Sequence, residues 1–221
     1  MTVHLLPGLG ATSALYSGYD FPFPVRRVEY GSPPHPGCTF AEYAQFLIRE
    51  NHIRPGDSAI GVSLGGMMAC EISKWVPLTK ITLISSCTTR SHLTPVAHRL
   101  AFLGPRLPWE LFRRLSFPLP GLDEPRKKAM RMFRDADSGF VRWACSRAAA
   151  WEGLEHHPDW FRIQGDRDPI FPIRLQQVEH VIPGGKHLMV ISRRDEILPL
   201  LVARHSAKSG QAFGACPPNL K

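Results

Sequence analysis

Gly61-Val62-Ser63-Leu64-Gly65 is the segment whose residue types and spacing best fit a chemical task. A serine hydroxyl is a weak nucleophile at neutral pH. It needs a base within hydrogen-bond reach and a third group to orient that base. Ser58–Val62, before the serine, has the composition of a buried strand. Leu64–Val76, after it, carries Met67, Met68, Ile72 and Trp75 at helical spacing. A Gly-x-Ser-x-Gly turn between strand and helix is tight, so the positions two before and two after the serine must be small. The hydroxyl then projects above the sheet. The N–H of Leu64 and the helix amino terminus sit where an oxyanion would develop. The chemistry this suits is attack on a carbonyl through an acyl intermediate.

The base must come from elsewhere in the chain. Of ten histidines, His187 is the candidate, because Gly184-Gly185 after a strand-like run lets its side chain reach back over a sheet. His180 at the opening of that run, His205 on the closing helix, and His156 and His157 are expected to be surface or packing residues. Two carboxylates, Asp166 and Asp168, follow another strand-like run, and either could orient the base.

The elements that must position these groups alternate along the chain. Thr2–Leu6, Val25–Tyr30, Ser58–Val62, Lys80–Ile84, Trp160–Gln164 and Glu179–Ile182 read as strands. Thr39–Glu50 reads as a helix, with Thr39 and Glu42 spaced for a capping box and Tyr43, Phe46 and Leu47 on one face. Asp195–His205 reads as a closing helix. Between Ser85 and Trp160, four segments look helical: Val96–Leu103, Pro108–Leu115, Pro125–Arg134 and Phe140–Gly153. Ala207–Lys221 is punctuated by Gly and Pro and is expected to be a flexible tail. Strand–helix alternation points to an α/β fold with a mostly parallel sheet and helices on both faces.

The chain has 221 residues, about one and a half domains at about 150 residues each. One domain with an insertion fits that length. Residues 1–87 and 159–206 form the expected core, 88–158 a helical lid, and 207–221 the tail. Hydrophobic residues at 43% and charged residues at 21% exclude disorder throughout. The amino end lacks a basic region followed by an apolar run, so no secretory signal is expected and the cytoplasm is the expected compartment. Five cysteines without a Cys-x-x-Cys pair argue against a disulfide framework and a thiolate zinc site. Cys38, Cys70, Cys87 and Cys145 read as packing residues. No His/Asp/Glu cluster has metal-ligand spacing, so no metal or other cofactor is expected.

With the elbow, the acid loop and the histidine loop in that order, the chain resembles the α/β-hydrolase family. Leu5-Leu6-Pro7-Gly8-Leu9-Gly10 is similar to the family's oxyanion loop, with Pro7 where histidine is more usual. Gly165-Asp166-Arg167-Asp168-Pro169-Ile170-Phe171-Pro172 is similar to its Gly-x-x-Asp-x-x-x-Pro acid loop. Gly184-Gly185-Lys186-His187 is similar to its histidine loop. The resemblance implies a triad of Ser63, His187 and Asp168, with oxyanion N–H groups from Leu9 and Leu64. It leaves out the lid and tail. It implies a smaller member whose sheet has about six strands rather than eight. The expected activity is that of a serine carboxylesterase on a small to medium ester with an apolar acyl group. The alternatives are a thioesterase or acyltransferase on an anionic carrier, and a non-catalytic binding protein of the same fold. Serine at the elbow argues against dehalogenase or epoxide hydrolase chemistry.

Two other patterns compete. Gly8-Leu9-Gly10, with Glu29 about 20 residues on, is two-thirds of a dinucleotide fingerprint. Ser13 occupies its third glycine position, and the segment after it is a poor crossover helix. The charge is +8, and twelve basic against seven acidic residues fall between Thr88 and Pro158. Lys127, Arg131 and Arg134 would share a helix face. An anionic carrier or lipid surface is the partner that face could attract; the plainer reading is a solvated helix. Aromatic residues are not interleaved with these charges, so no nucleic-acid partner is expected. Oligomeric state leaves no mark in the sequence. Phe133, Trp109, Trp143, Trp151 and other apolar lid residues must pack on the sheet or line an acyl pocket above Ser63.

Overall fold

The computed structural model describes residues 1–95, 98–99, 106, 108–115, 121–154, 157 and 159–206, without the side chains of 112, 113, 115 and 149. The strands are β1 (Val3–Leu6), β2 (Val25–Arg27), β3 (Ser58–Val62), β4 (Ile81–Ile84), β5 (Trp160–Gly165) and β6 (His180–Ile182). They form one six-stranded sheet in the order β2-β1-β3-β4-β5-β6, parallel at every pairing. The six strands fall where the sequence placed them. β2 is shorter than expected: Val28 donates one more backbone bond to Leu5, and Tyr30 then turns away to stack on Phe140.

Both faces of the sheet are covered, as a parallel sheet requires. Leu6, Ala59, Ile81 and Leu83 face one core with α1 (Phe40–Glu50) and α2 (Leu64–Ser73). Their alternate neighbours Val3, Leu5, Ile60, Val62, Ile84 and Ile163 face the other. The expected capping box starts α1: Glu42 N donates to Thr39 Oγ1 at 3.1 Å, and Thr39 N donates to Glu42 Oε2 at 2.8 Å. The segment after β1 forms a short 3-10 turn, Ser13–Tyr16, rather than a crossover helix. Tyr16 is fully buried there, and its hydroxyl donates to the Leu6 carbonyl at 2.8 Å.

Three helices between β4 and β5 are described: α3 (Trp109–Leu115), α4 (Glu124–Asp135) and α5 (Ser138–Ala150). Asp123 caps α4, and Asp137 caps α5. α5 packs into the α1 side of the core. Trp143 stacks on Phe40, and its Nε1 donates to the Cys38 carbonyl at 2.7 Å. Beyond α5, Trp151 Nε1 donates to Glu71 Oε2 at 2.8 Å. The expected helix Val96–Leu103 lies largely outside the described residues, and the tail from Ala207 lies wholly outside them.

A four-residue helix, α6 (Met189–Ser192), follows the histidine loop and was not legible in the sequence. α7 (Arg194–Ser206) closes the chain with Ile197 and Leu201 buried against the sheet. Cys38, Cys70, Cys87 and Cys145 are free and buried. No helix among the described residues is long and apolar enough to cross a membrane.

Candidate active site

The strand order places the site. The chain runs from β1 out to β2, then returns to the other side of β1 to form β3. The loops leaving β1 and β3 therefore diverge above their carboxyl ends and open a crevice between them, the usual ligand position in open α/β sheets. Gly8 follows β1, and Ser63 follows β3.

Ser63 has φ +53° and ψ −118°, a backbone state that non-glycine residues rarely occupy. The surrounding packing holds it there. A Cβ on Gly61 would run into the Gly65 carbonyl, and one on Gly65 would run into the carbonyls of Leu6 and Pro7. The small residues the turn needed are thus imposed by backbone on both sides. The Ser63 carbonyl accepts from the N–H groups of Gly66 and Met67 in the first turn of α2. It also accepts from Ser86 Oγ at 2.6 Å, a brace that sequence reasoning missed. Leu64 and Leu9 flank the serine. Among the described residues neither amide donates to another acceptor.

His187 and Asp168 come together: Nδ1 lies 3.0 Å from Asp168 Oδ2. Asp168 is 3% exposed. Its Oδ1 accepts from the N–H of Ile170 at 2.8 Å and of Phe171 at 3.2 Å, and Gln164 Nε2 donates to Oδ2 at 2.9 Å. Burial pushes this carboxyl up. The hydrogen bond and charge of His187, with the two N–H donors, outweigh it and hold the group below the ordinary aspartate value. Asp166 is exposed and accepts from Gly184 N at 2.7 Å, so it shapes the histidine loop rather than facing the imidazole.

The other histidines have separate surroundings. His205 is buried with Nε2 2.9 Å from Thr82 Oγ1. His157 is buried and accepts from Asp159 N. His180 lies on β6, and His156 is outside the described residues.

Ser63 and His187 line one cavity of about 210 Å³. Among the described residues they form no hydrogen bond to each other; such contacts often tighten only when substrate binds. Leu9, Leu15, Val62, Leu188 and Val190 supply apolar wall from the core side, and Ala129, Met132 and Phe133 supply it from α4. Phe133 is one of the apolar lid residues expected above Ser63; Met132 is an addition the sequence did not suggest. Trp143 and Trp151 instead serve the core beneath.

Glu29 takes no ribose-like position. Both its oxygens accept from Ser13 N, at 3.1 and 3.0 Å. One group of metal-ligating types converges among the described residues: His35, Cys38 and Glu42, with ligand atoms all within 4.8 Å of one another. Glu42 is already engaged in the α1 capping box.

A model of the alpha/beta hydrolase family matches residues 4–212. No curated protein matches the chain by sequence. Solved structures match by shape at low identity. A thermophilic esterase from Thermogutta terrifontis has a TM-score of 0.66 at 16% identity, over 91% of this chain and 88% of that one. A hydrolase from Pseudomonas aeruginosa PA01 has a TM-score of 0.68 at 13% identity, over 93% and 90%. A bromoperoxidase from Bacillus anthracis has a TM-score of 0.71 at 12% identity, over 93% and 92%. At these identities the likeness is one of fold.

Proposed function

The chain belongs to the alpha/beta hydrolase family, and on that premise we propose that it is a serine hydrolase cleaving a small to medium carboxylic ester. The observation that carries this reading is one cavity lined by Ser63, in its strained elbow, and by His187, held through Nδ1 by buried Asp168.

In this reading His187 Nε2 takes the Ser63 proton as Oγ attacks the carbonyl. The amides of Leu9 and Leu64 stabilise the tetrahedral oxyanion; each such donor is worth about 3 kcal/mol in comparable sites. The proton then passes to the departing alcohol, and water releases the acyl group by the same steps reversed. Asp168 fixes the tautomer that leaves Nε2 free to accept. The apolar walls suit an apolar acyl part, and the cavity of about 210 Å³ suits a short one. α4 acts as a lid, its Ala129, Met132 and Phe133 walling the cavity that holds Ser63.

Hydrolysis of p-nitrophenyl esters from acetate to palmitate at neutral pH tests this. The expected result is Ser63-dependent turnover that peaks at short chains. Turnover unchanged in Ser63→Ala, or none on any ester by a folded protein, overturns the reading.

A further inference from the structure

Two cations from separate helices meet at the 3-10 turn that walls the cavity and the residues after it, and a third lies one turn along α4. Lys128 Nζ, beside Ala129 on α4, reaches the carbonyls of Leu15 and Ser17, each at 3.4 Å. Arg194, at the start of α7, lies against Gly18: a Cβ built there would stand 2.7 Å from its Nη1. Arg131 lies three residues beyond Lys128 on α4. The Lys128 pKa is lowered, first by burial and then by the charges of Arg194 and Arg131, so both arginines bear on Lys128.

Their partners neutralise them poorly. Arg131 stands 3.7 Å from Glu124, which also holds Lys127 at 2.8 Å. Arg194 pairs with Asp195 at 2.8 Å. The Glu124 and Asp195 side chains are 74% and 85% exposed, and ion pairs this open to water hold weakly. Gathering like charges opposes folding unless an anion offsets them. Leu15 and Ala129, next to the cluster, line the cavity that holds Ser63. An ester whose acyl part fills that cavity leaves its other half outside, and Leu15 and Ala129 join the cavity wall to these cations.

We propose that Lys128, Arg131 and Arg194 form an anion-recognition site for a phosphate or carboxylate on the leaving part of the substrate. The site rests on the reading that esters or thioesters are cleaved at Ser63. There the acyl–oxygen or acyl–sulfur bond breaks, the Ser63 Oγ–acyl bond forms, and the proton goes to the leaving atom. The anion stays on the departing alcohol or thiol.

Two arms test it. In the first, Ser63→Ala protein is titrated with pyrophosphate by calorimetry, with and without Arg131→Gln and Arg194→Gln. The affinity is expected to fall about tenfold or more with the arginines replaced. In the second, the parent hydrolyses S-butyryl thioglycolate and its primary amide, which differ by the charge of one carboxylate. The kcat/KM ratio of charged over neutral substrate is expected to exceed one. It should fall about tenfold in the double variant and fall with added salt in the unmodified protein. The salt series needs no substitution, so a variant that fails to fold leaves the test intact. Equal rates on both substrates, together with pyrophosphate binding indifferent to the arginines, overturn the proposal. No turnover, with arginine-dependent pyrophosphate binding, would sink the hydrolase reading while upholding the anion site.

Discussion

Asp168→Asn removes one negative charge and changes little in shape. In the protein, Oδ1 accepts two N–H groups, and Oδ2 faces both His187 Nδ1 and Gln164 Nε2. An asparagine must place its amide oxygen on one side and its NH₂ on the other. Keeping the oxygen toward Ile170 and Phe171 preserves two bonds and turns NH₂ toward His187 and Gln164. The imidazole must then accept at Nδ1 and carry its proton on Nε2, where Ser63 needs an acceptor. The opposite orientation sets NH₂ against two backbone N–H groups and is worse. Comparable triads lose about 10⁴-fold in kcat for this reason, close to 5.5 kcal/mol of transition-state stabilisation. Stability should fall by about 1–3 kcal/mol, because Gln164 Nε2 then confronts another donor at one of its two bonds. The assays are p-nitrophenyl ester hydrolysis and urea unfolding. A rate loss below about tenfold, or a larger loss in Asp166→Asn, would refute the reasoning.

Other expectations follow from single contacts. Gly65→Ala drives a Cβ into the Leu6 and Pro7 carbonyls and should cost more than about 3 kcal/mol in urea unfolding. Gly56→Ala, with φ +86° and nothing near its Cβ, should cost about 1–2 kcal/mol. His205, buried and pressed by Arg204 and Lys80, has its pKa lowered from 6.5 to about 3, so it is neutral in the folded state while the unfolded chain takes up its proton below 6.5. It therefore removes about 1.4 kcal/mol of stability per pH unit as pH falls from 6.5 toward about 3. His205→Gln should flatten the pH dependence of urea midpoints in that window; parallel profiles would contradict the burial argument. Phe133→Ala removes the half-buried ring beside Gly10 and should lengthen the preferred acyl chain in the p-nitrophenyl series.

The fold was legible because its signals are local. Thr39 and Glu42 mark a helix start within four residues, and the Gly/Pro turns bound the strands. The loops that carry the candidates Ser63, Asp168 and His187 were legible for a similar reason: each has glycines where a Cβ would meet backbone or the φ is positive. The brace on Ser63 is long-range. Ser86 braces Ser63 across 23 positions, and no local pattern marks it. Gln164 lies four residues before Asp168 in β5, but that strand already carries the charged Arg162, so one more polar residue there gave no signal. Met132 and Phe133 meet the cavity because α4 is oriented by packing that the sequence does not display. The short α6 follows from the turn that returns the chain after His187, and it is too brief to show a period.

The central claim is that Ser63 is a nucleophile activated by His187 and Asp168. A fluorophosphonate probe reports this directly, since it forms a stable adduct only with an activated serine. Intact mass and peptide mapping should show one adduct per chain on the peptide holding Ser63. The adduct should be lost in Ser63→Ala and strongly slowed in His187→Ala. No adduct on a folded chain, or an adduct at another serine, would contradict the account.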